Sequence, residues 1–138
     1  MRVTLVAKNL AIAAFIASPV ALSLGSVCFA LIAPNDIREP ATAWVLIALA
    51  SMAMAMNLHL SFLRSALYAM RHGKSMNGYK HVSGIPVVGS ILVAIAVLVA
   101  WGNLSVAATS LLILVADTGG VVWLFAVLVR DRSFWREP

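Results

Sequence analysis

The 138 residues suffice for one compact domain, yet 62% of them are hydrophobic and 11% charged, against roughly a quarter charged in soluble globular domains. That balance excludes a water-soluble fold, whose helices need a polar face. The net charge of +5 does not point to nucleic acid, because the basic residues sit in short breaks between apolar runs and never cover one soluble face.

Four apolar runs carry the chain, at residues 10–33, 41–63, 85–101 and 106–129. As helices they measure about 36, 34, 25 and 36 Å at 1.5 Å per residue, against a hydrocarbon core of about 30 Å. The first follows Arg2 and Lys8 and is too long for the apolar core of a signal peptide, so it is expected as an uncleaved spanning helix. It holds the lone cysteine, Cys28, expected as a buried thiol with no intramolecular disulfide open to it.

The first break is a proline-bounded turn from Pro34 to Pro40 carrying Asp36, Arg38 and Glu39. The second run is expected to continue past the membrane, since Ser65 to Arg71 are good helix formers and Gly73 then stops them. The break at residues 64–83 holds Arg64, Arg71, Lys74 and Lys80 with no acid. Pro86 opens the short third run, where its missing N–H costs nothing. Gly102-Asn103-Leu104-Ser105 forms a neutral tight turn, and Arg130, Arg132 and Arg136 follow the fourth run.

Cytoplasmic segments carry the excess of Lys and Arg, which places residues 64–83 and both termini inside a bacterial-type inner membrane. Trp44 and Trp101 then fall at the outer interface, and Tyr68, Tyr79, Phe134 and Trp135 at the inner one. Small residues recur every four positions: Ala17, Ala21 and Gly25; Ser51 and Ala55; Ser90 and Ala94; Ala116 and Gly120. Such faces let backbones approach in lipid, and short connections favour an all-α, up-down four-helix bundle of one domain.

Polar residues inside the runs are the candidate sites. Asp117 lies about halfway along the fourth run, where insertion scales put an aspartate at about +2.5 to +3.5 kcal/mol. It reads as a proton or cation site, or as a carboxyl hydrogen-bonded to neighbouring helices. No Lys or Arg lies within any run, and the groups counted at its depth are hydroxyls such as Ser23 and Ser51. Asn57 suits an interhelical hydrogen bond, and His59, two residues on, projects to nearly the opposite face as an interfacial histidine. With no second histidine in the runs, neither a metal nor a cofactor is expected. Arg71, Lys74 and Lys80 suit lipid headgroups or a phosphorylated ligand.

Asp117-Thr118-Gly119 spells the tripeptide of aspartic proteases, which carry it on a loop of a soluble β fold that nothing here supports. Four short spans in a small basic chain resemble the small multidrug-resistance exporters in size and topology. Those place their acid in the first helix, where this chain has none, so no residue carries over. The expected function is non-catalytic: helix–helix interaction with a membrane partner, as accessory subunit or immunity-type protein, or between copies of the chain, with lipid as solvent and no nucleic acid. The alternative is a proton- or cation-coupled transporter or flippase component using Asp117.

Overall fold

A computed structural model describes residues 2–33, 40–72, 78, 80 and 87–130, with side chains from Lys8 onward. Every described element is helical, as expected from the long apolar runs. The elements are α1 (Arg2–Ile32), α2 (Ala41–Leu58), a π-helical turn (His59–Leu63), α3 (Arg64–Arg71), α4 (Val88–Val99), α5 (Leu104–Ala116) and α6 (Val121–Arg130).

Two helices are long and apolar enough to cross a membrane: Lys8–Ile32, and the 31-residue stretch Ala41–Arg71 formed by α2, the π turn and α3. The second runs as far as its helix formers allow and stops at His72, whose N–H bonds the Tyr68 carbonyl at 3.0 Å. A third span exists if α5 and α6 are taken together. The helix in the third run is α4, with 12 residues, or about 18 Å. It is short for a span by itself. Pro86 lies outside the described residues.

The fourth run is not the continuous helix expected from its composition. It breaks after Ala116, and α6 leaves at 50° to α5. Gly119-Gly120 favours a break at this point, because glycine lowers helix propensity and a pair of them is a common kink site. Asp117, expected within the helix, instead caps the end of α5 in an extended conformation (φ −73°, ψ 99°).

The helices share one core. α2 packs chiefly on α4, while α1 lies against α5, α4 and α6. Ile16 of α1, Ile47 and Ala50 of α2, Val93 and Val97 of α4, Val106 and Leu114 of α5 and Val121 of α6 meet there. Ala43, Ala50 and Ala96 are fully buried, so small side chains mark where backbones come closest. Gly25 serves the same end, for a Cβ on it would stand 3.2 Å from the Trp101 ring. Trp101 tilts against Phe29 at 6.4 Å between centroids. Cys28, expected to be buried, is exposed on α1, because the core-facing stripe there passes through Ser26 and Ala30.

The reversal between α4 and α5 is tied down on three sides. Gly102 has φ +82°, which only glycine adopts without strain. Its N–H donates to Ser26 Oγ of α1 at 2.9 Å. Asn103 caps α5, its Oδ1 accepting from the Val106 N–H at 3.0 Å.

Candidate functional site

The break between α5 and α6 frees backbone groups that a continuous helix would pair internally, and nearby groups satisfy them. The Asp117 N–H still bonds the Ile113 carbonyl at 2.8 Å, and the Gly120 N–H turns back to the Asp117 carbonyl at 2.9 Å. At the start of α6, Ser90 Oγ of α4 accepts from the Val121 N–H at 3.2 Å. The Val115 carbonyl accepts from the Trp123 indole N–H at 3.3 Å, bridging the bend. The Gly119 carbonyl accepts from the Val87 N–H at 3.2 Å, which joins the break to the residue before α4. Val87 holds φ +70°, a strained conformation for a β-branched residue.

Within this corner lies Asp117, 1% exposed. Its Oδ1 accepts from Asn57 Nδ2 of α2 at 2.7 Å and from the Gly119 N–H at 3.1 Å. Its Oδ2 is buried and has no hydrogen-bond partner. Glycines make room for that oxygen: a Cβ built on either Gly89 or Gly120 would come within 2.9 Å of it. A Cβ on Gly119 would fall 2.6 Å from Asn57 Nδ2, so glycine is also what lets the amide reach the carboxyl.

No family model, curated protein or solved structure matches this chain. Its chemistry therefore rests on its own geometry.

The sequence candidates separate in space. Asn57 is fully buried and meets Asp117, whereas His59 is exposed on the π turn. Arg71 and Lys80 are exposed, and Lys74 lies outside the described residues. The hydroxyls counted as partners for Asp117 are engaged elsewhere: Ser23 donates to the Pro19 carbonyl and Ser51 to the Ile47 carbonyl, each at 2.8 Å. The partner is the Asn57 amide, which on straight helices lies at a different depth from Asp117. Gly89, Ser90, Gly119 and Gly120 were likewise not singled out as site residues, although the glycine pair after Asp117 is a visible breaker signal. Thr118 reaches across from the break to Ser61 of the π turn, Oγ1 to Oγ at 3.2 Å. Among the described residues, no three His, Cys, Asp or Glu side chains converge as metal ligands.

Proposed function

We propose that the chain is a non-catalytic membrane protein acting through helix–helix contact with a membrane partner, as an accessory subunit or immunity-type protein, or with further copies of itself. In this reading it crosses a bacterial-type inner membrane four times with both termini cytoplasmic. The short α4 counts as a span because longer helices shelter it, with Val93, Ala96 and Val97 fully buried. Reporter fusions after Glu39 and after Asn103 are expected to report the outside; a cytoplasmic signal from either breaks the topology.

The observation that supports this reading best is the enclosure of Asp117. A carboxyl held by Asn57 and Gly119 and packed between Gly89 and Gly120 is a joint between helices, which leaves function to the outer faces. One such face is an apolar groove of about 320 Å³ between α1 and α6, bordered by Val20, Ala21, Leu24, Val122 and Phe125. A photo-crosslinking residue at Ala21 or Phe125 is expected to give a discrete protein adduct in native membranes. Crosslinks to lipid alone at both positions count against the reading. Arg71, Lys74 and Lys80 would hold the inner end to anionic lipid, so replacing all three with Gln should weaken that attachment.

A second reading, a proton- or cation-coupled transporter or flippase component, is favoured by the unpartnered Oδ2 at a helix break. Discontinuous helices put irregular backbone at the coupling site of many transporters. Asp117→Asn keeps an oxygen for Asn57 and Gly119 but cannot titrate. A proton flux in proteoliposomes that a folded Asp117→Asn protein loses supports coupling, and a folded variant with the wild-type phenotype rules it out.

A further inference from the structure

The π turn after α2 builds a second polar feature that the Asp117 site does not use. In an ordinary α-helix, Arg64 would sit about 140° around the axis from His59. Here the Arg64 N–H bonds the His59 carbonyl, five residues back, and this wider turn returns Arg64 toward the His59 face. From Arg64 the α-helical period carries the same face through Tyr68 to Arg71 and His72. His59, Arg64, Leu67, Tyr68, Arg71 and His72 together line a pocket of about 220 Å³.

The far end of that pocket is pre-ordered. Tyr68 and His72 stack with centroids 4.1 Å apart and an angle of 15°. His72 Nδ1 lies 3.0 Å from the Tyr68 carbonyl; since a carbonyl only accepts, Nδ1 carries the hydrogen and fixes the ring. Arg64 and Arg71 bring two guanidiniums to the pocket lining, a group whose several forked donors match phosphate oxygens. Leu67 gives the pocket an apolar side.

Depth identifies the ligand. His59 lies 18 residues beyond Ala41 in the span Ala41–Arg71, about 27 Å along the axis. It therefore reaches the edge of a hydrocarbon core about 30 Å thick, and Arg64 to His72 extend into the headgroup layer. We propose that this pocket binds the phosphate of an anionic phospholipid headgroup, with Arg64 and Arg71 on the phosphate oxygens and Leu67 against the glycerol and upper acyl chain. It is a shaped site, distinct from a general attraction of the basic loop. It rests on the reading that Ala41–Arg71 crosses the membrane.

The test uses the full-length protein in nanodiscs of phosphatidylcholine with and without phosphatidylglycerol, scoring retained lipids by native mass spectrometry. Failure to incorporate into nanodiscs breaks the membrane reading itself. Incorporation without preference for phosphatidylglycerol breaks the pocket alone. Replacing both arginines, Arg64→Gln with Arg71→Gln, should lower phosphatidylglycerol retention about tenfold or more, the worth of at least one charge-assisted hydrogen bond. Replacing both with Lys should recover only part, because the forked donors are lost while the charge remains. The control removes the same charge at Lys8 and Arg130, both exposed, and should change retention about twofold or less, as for exposed charges near a surface. Equal losses from the Arg64/Arg71 pair and the Lys8/Arg130 pair overturn the proposal in favour of diffuse attraction. Displacement of the lipid by glycerol 3-phosphate or inorganic phosphate overturns the lipid as occupant and assigns the pocket to a soluble phosphate compound.

Discussion

The chain interrupts its helices twice after α4 with similar parts and different results. At residues 100–103 it reverses direction: Asn103 caps the next helix, Gly102 takes the left-handed turn, and Ser26 on another helix accepts the free N–H. At residues 117–120 it only bends: Asp117 accepts from Gly119, the glycine pair loosens the helix, and Ser90 accepts from Val121. An Asx side chain, a glycine and a borrowed serine hydroxyl thus serve in both places. The first interruption uses an amide, whose Oδ1 takes the capping N–H. The second uses a carboxyl, and one of its oxygens is buried without a partner. A bend alone could be capped by an amide, so the acid brings to this corner an oxygen that the local backbone does not need.

Substitutions at the two interruptions sharpen or break that contrast, and unfolding by SDS titration in mixed micelles ranks them. The largest loss is expected from Gly119→Ala, whose methyl would collide with Asn57 Nδ2; overpacking of this kind costs about 3 kcal/mol. Asp117→Leu comes next at about 2 kcal/mol, because it removes the acceptor of the buried hydrogen bond from Asn57. A smaller loss than that would mean the carboxyl contributes little to joining the helices. Asn103→Ala removes a cap that involves no other helix and should cost about 1 kcal/mol. The least effect is expected from Asp117→Asn, within about 0.5 kcal/mol, since one oxygen still faces both donors. If that variant unfolds as readily as Asp117→Leu, the carboxyl is required as such and the comparison with Asn103 fails.

Helix content and the extent of Ala41–Arg71 were legible because both depend on composition over many residues: apolar side chains sustained for a span, then helix formers up to a stop. The bend at Asp117 was not, because apolar content continues through Val129 and hydropathy does not register how the backbone turns. Gly119-Gly120 was the available signal. The pairing of Asn57 with Asp117 was hidden by the same omission, since depth counted on a straight helix puts the two at different levels. The π turn has a different cause. Nothing in His59-Leu60-Ser61-Phe62-Leu63 demands five-residue hydrogen bonding, and Thr118, which Ser61 meets from the turn, lies 57 positions away in the chain. Local sequence alone does not contain that information.

The bend also sets a length. The 13 residues of α5 and 10 of α6 rise about 20 and 15 Å along their own axes. With α5 upright in the proposed topology, a 50° bend leaves α6 about 10 Å of depth, and the pair covers about 30 Å. A straight helix over residues 106–129 would reach about 36 Å. In that topology the shorter reach equals the roughly 30 Å of a hydrocarbon core. One pair of glycines would thus fit the segment to the bilayer, where a straight helix of the same run would have to tilt.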